Sequence, residues 1–251
     1  MIAGWSEVGD RVYVRRHRGL DLNCGLVIGD DACLVIDTRS HLGEGRALAE
    51  AVRAMTPHPW TVVNTHAHFD HCFGNAAFRP ADIWAHRDCP AELAATGEQQ
   101  RASVVHELLA GGDADAELVA TAPIDLPDHL VDEIAVLDVG GREVTLRHLG
   151  RGHTGADLVI GVDDVLFAGD LVEEGTPPAM EDAFPLEWPA TMTALLELVR
   201  GPVVPGHGAV VDAAFVAAQR DELARLARWL TEPGADAAFD EQTRRTARGR
   251  L

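Results

Sequence analysis

The sequence contains no lysine. Its 21 basic residues are all arginines, set against 40 carboxylates, for a formal net charge of −19. Such a surface repels phosphate backbones, whose contacts supply most nucleic-acid affinity, so nucleic acid is not an expected partner. The arginine-rich stretch at 244–250 reads as a frayed terminus rather than a nucleic-acid arm. Long apolar runs are missing as well, and no stretch approaches the roughly 20 residues a bilayer span needs. Residues 1–19 are broken by Glu7, Asp10 and several arginines and lack the apolar centre of a secretory signal. No membrane partner and a cytoplasmic location are the expectations. Cys24, Cys33, Cys72 and Cys89 are too few and too irregularly spaced for a disulfide framework, and predict thiols packed as small hydrophobes. Aromatic residues make up 5%, and the lone Tyr13 lies far from any motif. Apolar residues still amount to 47% of 251, enough to fill the core of one large domain.

What is present is concentrated. The stretch Thr65-His66-Ala67-His68-Phe69-Asp70-His71 packs three histidines and an aspartate into six residues. It follows Trp60-Thr61-Val62-Val63, a β-branched and aromatic run punctuated by Pro57 and Pro59, which predicts a buried strand. A chain that stays extended past this strand alternates its side chains, pointing His66, His68 and Asp70 one way. Neutral imidazole and carboxylate are the ligands that borderline divalent ions such as zinc prefer. Four donors exceed what one tetrahedral ion takes from one segment, which hints at two metals. A single His-x-His pair would mean little, because such pairs also occur by chance on surfaces or in satisfied polar turns. Three further donors change the balance, each just beyond another strand-like run. His153 lies in Gly150-Arg151-Gly152-His153-Thr154-Gly155, Asp170 ends Ala168-Gly169-Asp170, and His207 sits in Pro205-Gly206-His207-Gly208. Glycine beside each lets the backbone turn sharply and approach a ligand.

The pattern elsewhere predicts strands over residues 11–14, 24–28 and 33–37, the last two joined by a Gly29-Asp30-Asp31 turn. Helices are expected over 44–55, from about 74, across most of 88–121 with a break at Gly111-Gly112, and over 212–230, where Pro233-Gly234 ends the last. The 88–121 segment reads as an insertion beside the site entrance. Residues 1–230 are expected to form one domain and 231–251 a flexible tail. Nothing in the sequence sets an oligomeric state.

His66-x-His68-x-Asp70-His71, followed by His153, Asp170 and His207, resembles the motif set of the metallo-β-lactamase superfamily, in its glyoxalase II-like, binuclear metallohydrolase branch. The resemblance runs from about residue 8 to 230. It implies an α/β fold, a four-layer αβ/βα sandwich of two mixed sheets flanked by helices with the metals at one edge. It also implies two divalent ions, most simply Zn²⁺, with Fe²⁺ or Mn²⁺ as alternatives. His66, His68 and His153 would hold the first, Asp70, His71 and His207 the second, and Asp170 would bridge them. A metal-bridging hydroxide would then attack an electrophilic centre, with Asp70 as the catalytic carboxylate that orients it or returns its proton.

Asp170 separates the branches of that family. True class B β-lactamases generally lack it, so the resemblance favours a hydrolase of a small ester, thioester or lactone. A mononuclear iron persulfide dioxygenase, a β-lactamase-like or phosphodiesterase activity, and lastly a non-catalytic binding module remain as alternatives. With no lysine, the chain has no lysine grip for a substrate carboxylate. A hydroxyacylglutathione hydrolase would carry a further helical C-terminal domain, whereas 21 residues follow Leu230. The partner is a small-molecule substrate. Phe69 beside the cluster, and Met180, Phe184 and Trp188 in the proline-stiffened 171–189 loop, are candidate substrate contacts, with core or lid packing an equal reading. Arg39, Arg79 and Arg151 are the basic residues nearest the motifs in sequence, and each reads better as a solvated surface group. Cys72, next to His71, is read as packing rather than as a ligand.

Overall fold

The hairpin expected at residues 29–31 is present, and a sheet extends from it on both sides. Strands β1 (Ser6–Gly9), β2 (Val12–Arg16), β3 (Asn23–Ile28) and β4 (Cys33–Ile36) pair antiparallel in sequence order. Strands β5 (Trp60–Val63), β6 (Ile83–His86) and β7 (His129–Val131) then add in parallel to complete a seven-stranded sheet. A second, five-stranded sheet has antiparallel neighbours β8 (Ile134–Asp138), β9 (Glu143–Arg147), β10 (Val159–Val162) and β11 (Val165–Glu173), with β12 (Val203–His207) parallel to β11. The helices are α1 (Leu42–Arg53), α2 (Phe69–Cys72), α3 (Cys89–Gly111), α4 (Ala116–Ala120), α5 (Trp188–Leu198), α6 (Ala213–Thr231) and α7 (Glu241–Arg248). This computed structural model describes residues 4–232, 234–236 and 238–251; Pro233, expected to end α6, lies outside them.

Strand β4 shows why the layers stack as they do. Leu34 and Ile36 join Val144, Leu146, Ile160 and Phe167 of the other sheet in one core. Cys33 and Val35, on the opposite face, pack with Leu48 and Val52 of α1 in another. Successive strand residues leave opposite faces, so a strand covered on both sides is apolar throughout. The outer face of the second sheet does the same, with Leu166 and Ala168 against Met192 and Leu195 of α5 and Leu223 and Leu226 of α6. The result is a four-layer α/β arrangement of two mixed sheets between helices, as the motif resemblance implied. Each fully buried aliphatic side chain contributes about 1.5–3 kcal/mol to holding these layers together.

Two local expectations are corrected. The chain does not stay extended through the histidine cluster: it is extended at His68 (φ −92°, ψ 150°) and then enters the helical turn α2. A strand would send Asp70 and His71 to opposite faces, whereas a helical turn sets neighbours about 100° apart and lets both approach one centre. The C-terminal segment expected as a flexible tail carries α7, capped by Asp240, whose side chain accepts from Thr243 N. Ala238 and Ala247 are buried in the core that α5 and α6 share, and the Arg248 guanidinium lies 4.2 Å from the Trp229 ring centre. Two alanines and a cation over an aromatic face dock a segment that its charge alone marked as solvated. The break at Gly111-Gly112 is as expected, with Gly112 left-handed (φ 71°) between α3 and α4. Among the described residues, no helix is long and apolar enough to cross a membrane.

Candidate metal centre

All seven motif residues come together at one edge of the sandwich, drawn from the turn after β5, the loop after β9, the second half of β11 and the end of β12. They form two groups: His66, His68, His153 and Asp170, and Asp70, His71 and His207, with the donor atoms in each within 4.8 Å of one another. In the first, His68 Nδ1 lies 3.0 Å from His66 Nε2 and 2.9 Å from His153 Nε2. Three ring nitrogens converging on one point share too few protons to satisfy each other, which is the donor arrangement a cation resolves. In the second, His207 Nε2 lies 3.4 Å from Asp70 Oδ2, and His71 Nε2 lies 3.7 Å from the same oxygen. Asp170 reaches both groups, with Oδ2 3.5 Å from His153 Nε2 and 3.2 Å from His207 Nε2, and Oδ1 3.4 Å from His71 Nε2.

Local backbone chemistry aims Asp170. Gly169 adopts a left-handed φ of 53° within β11, at a register irregularity against β12. A side chain there would be strained, so glycine is the residue that permits the bend. From β12, Gly206 leaves the carboxylate its space, since a Cβ at that position would sit 1.7 Å from Asp170 Oδ1.

The remote nitrogens of four of the five histidines are committed to acceptors. His71 Nδ1 donates to Asp37 Oδ2 at 2.8 Å, and His207 Nδ1 donates to the Leu20 carbonyl at 2.7 Å. His68 Nε2 meets Asp182 Oδ2 at 2.8 Å. His66 Nδ1 meets Thr65 Oγ1 at 3.0 Å, and that hydroxyl in turn donates to Asp37 Oδ2 at 2.9 Å. Each such bond places the proton on the far nitrogen and leaves a lone pair facing the cluster, the tautomer a metal ligand needs. His71 Nε2 and Asp170 Oδ1 are buried without a hydrogen-bond partner, which an ion between the groups would supply. The residues therefore fit divalent metal binding.

Charges in the cluster answer one another. Burial disfavours the His68 imidazolium, but the hydrogen bond and charge of Asp182 outweigh it and raise the group to about 9. His207 is raised to about 10 against burial by Asp170 and Asp70, and His71 is raised well above the usual range by the same carboxylates and Asp37. Burial depresses His66, and takes His153 down to about 4. Burial also works against the Asp170 carboxylate, yet the surrounding histidines hold it ionised well below the usual range. Metal binding to such a cluster displaces protons.

The site opens on a cleft of about 1100 Å³. Both segments suspected of lining it do so: Thr96, Gln99 and Ser103 of α3 on one side, Glu174 and Ala179 of the loop after β11 on the other. Of the four candidate substrate contacts, Phe69 lines the cleft. Met180 and Trp188 do not: they are 1% and 0% exposed in the core under α5, where the Trp188 indole donates to the Leu171 carbonyl. Phe184 lies beneath the Arg151 guanidinium, 4.5 Å from ring centre to carbon, away from the cleft lining. Arg79 pairs with Asp125 and Asp128, Arg151 with Glu187, and Arg39, expected at the surface, is 6% exposed and pairs with Glu44. Cys72 packs with Ala67, Phe73 and Cys89, and its thiol donates to the His68 carbonyl.

Several residues that shape the site had no signal in the sequence. Asp37 and Asp182 are single carboxylates among 40 acidic residues, and Asp182 meets His68 across 114 positions. Gln100 of α3 clamps the turn, accepting from Phe69 N at 2.9 Å and donating to the Ala67 carbonyl at 2.9 Å.

Comparison with known proteins agrees with this geometry. Residues 18–207 match the sequence profile of the Metallo-beta-lactamase superfamily. The chain is 28% identical over 235 residues to the acyl-coenzyme A thioesterase MBLAC2 of Gallus gallus, covering 82% of this chain and 78% of that protein. In fold it is similar to a metallo-beta-lactamase from Pontibacter korlensis, with a TM-score of 0.70 at 17% identity over 88% of this chain and 98% of the other. It is likewise similar to the sec-alkylsulfatase Pisa1 from a Pseudomonas species, with a TM-score of 0.71 at 19% identity over 90% of this chain and 42% of that one.

Proposed function

Because the chain belongs to the metallo-β-lactamase superfamily, we propose that it is a metal-dependent hydrolase of an ester, thioester or lactone, with a thioester the favoured substrate. The observation that carries this reading is the convergence of seven donor atoms in two groups with Asp170 between them. The thioesterase relative supports the choice of thioester.

In this reading His66 Nε2, His68 Nδ1 and His153 Nε2 hold one divalent ion, and Asp70 Oδ2, His71 Nε2 and His207 Nε2 hold the other. Asp170, whose carboxylate faces histidines of both groups, would serve both ions. Imidazole and carboxylate donors without thiolate suit zinc. Bound at these positions, the ions supply Lewis-acid polarisation of the scissile carbonyl and a lowered pKa for water. The protein's own groups do the rest. Asp70 lines the cleft, and its second carboxylate oxygen would take a proton from the attacking water and pass it to the departing thiolate or alkoxide. The balance is one water consumed, with a carboxylic acid and a thiol or alcohol released. Asp37, Thr65, Asp182 and the Leu20 carbonyl keep the imidazoles in the ligating tautomer. Gln100 holds the turn that carries Phe69 against the cleft.

The test is elemental analysis of protein purified without chelator, paired with a panel of esters, thioesters and lactones. About two zinc ions per chain with thioester turnover is the expected result. His68→Ala and Asp170→Ala should each abolish turnover and lower metal content while the protein stays folded. Unaltered activity in both variants would refute the assignment. About one iron per chain with oxygen consumption on a persulfide would replace hydrolysis by sulfur oxidation.

A further inference from the structure

With 40 acidic and 21 basic residues, an arginine in this protein has no shortage of carboxylates to pair with. At least ten of the 21 do so, among them Arg16 with Asp21, Arg87 with Asp132, Arg142 with Asp163 and Arg151 with Glu187. Two that line the cleft do not. Arg18, in the β2–β3 loop, is exposed and its guanidinium has no partner among the described residues. Arg250, just past α7, is held by neutral acceptors: Nε donates to the Ala183 carbonyl and Nη2 to the Asp182 carbonyl, both at 3.0 Å. Its third nitrogen, Nη1, is left without a described partner. A guanidinium fixed by backbone carbonyls keeps its charge and a preset orientation for a ligand.

The carboxylates of the same cleft are already engaged. Asp21 pairs with Arg16, Asp182 meets His68, and Glu174 accepts from Ala209 N at 2.7 Å. Glu173 accepts from Ala179 N and Glu181 from Met180 N, each at 2.9 Å. Facing them, Thr96, Gln99 and Ser103 of α3 offer an uncharged polar wall. At about 1100 Å³ the cleft exceeds what a short acyl ester fills.

We propose that Arg18 and Arg250 form an anion-binding rim that recognises the negatively charged thiol arm of an extended thioester, through phosphate or carboxylate groups. This rests on the hydrolase reading above. Guanidinium binds either oxyanion by charge-assisted, paired hydrogen bonds.

The experiment uses full-length, metal-loaded protein and one acyl group carried on coenzyme A, on glutathione and on neutral N-acetylcysteamine. The wild type should favour a charged arm over the neutral one in kcat/KM, and Arg18→Gln and Arg250→Gln should each cut that preference about tenfold, with metal content unchanged. The charged arm that suffers the larger loss identifies phosphate or carboxylate as the recognised group. A preference for the neutral arm, or an undiminished ratio in both variants, overturns the proposal. So does an effect confined to Arg250→Gln that comes with metal loss, since Arg250 would then serve only to hold the loop that bears Asp182. If the wild type hydrolyses no thioester, the thioester choice fails and binding of adenosine 3′,5′-bisphosphate decides the rim. Binding about tenfold tighter than in either variant upholds it, and equal or absent binding removes it.

Discussion

Asp37→Asn is the sharpest probe of the metal centre, because it alters hydrogen-bond polarity with almost no change in shape. Asp37 is 2% exposed and accepts three bonds: Thr65 N to Oδ1 at 2.8 Å, and Thr65 Oγ1 and His71 Nδ1 to Oδ2 at 2.9 and 2.8 Å. The backbone N–H of Thr65 is a fixed donor, so an asparagine must keep its oxygen there and turn its NH₂ towards His71. Asparagine tolerates the left-handed φ of 62° as well as aspartate does, so the backbone has no reason to move. Two donors cannot face each other, and His71 must answer by presenting a lone pair at Nδ1. Its proton then sits on Nε2, the nitrogen that faces Asp70 and Asp170. Loss of such an outer partner costs about 10–100-fold in metal affinity, or roughly 1.4–2.8 kcal/mol. Competition for metal with a chromophoric chelator checks it: metal affinity should fall by about that factor. Wild-type affinity in the variant would refute the reasoning that links the outer carboxylate to the ligand.

Gly206→Ala should lower metal content and turnover by at least tenfold while leaving the fold intact, because the new methyl occupies the space of Asp170 Oδ1; normal metal content by elemental analysis would contradict this. Asp157 is fully buried, and burial raises its carboxyl to about 7 against the hydrogen bonds from Thr154. A raised folded-state pKa gives stability that is complete below the unfolded value near 4 and lost as pH rises through 7. Urea unfolding of wild type and Asp157→Asn between pH 4 and 8 should therefore show the wild type losing on the order of 2–4 kcal/mol relative to the variant, and a constant difference would rule it out.

The ligand set was legible because histidine and aspartate beside glycine at strand ends are chemically specialised, and their order along the chain narrows the possibilities. The layers came from the motif resemblance, and the continuous apolar run of β4 fits a strand covered on both faces. The geometry joining them was not legible. Extension past Val63 was the natural reading of a strand, but Asp70 and His71 need a helical turn to face the same centre. Met180 and Trp188 show that an apolar side chain in a cleft-forming loop reads the same whether it faces substrate or core. Proximity in sequence pointed to Arg39, Arg79 and Arg151, each of which has a carboxylate partner, while the cleft takes its arginines from positions 18 and 250. Pairings made across more than a hundred residues leave no local trace.

His207 is tied to the other end of the chain. Its ring is fixed by the Leu20 carbonyl, Gly208 N donates to the Asp21 carbonyl at 3.0 Å, and Asn23 Nδ2 donates to the carbonyls of Pro205 and Gly208, both at 2.9 Å. Each donor group also mixes residues from before position 72 with residues from after position 152. A chain emerging from the ribosome thus has no complete group until both sheets exist, and the second group must wait for residue 207 and its return to the first hairpin. Metal loading in this reading waits for residue 207, and a product that stops before it, however well its first sheet folds, holds no complete second group.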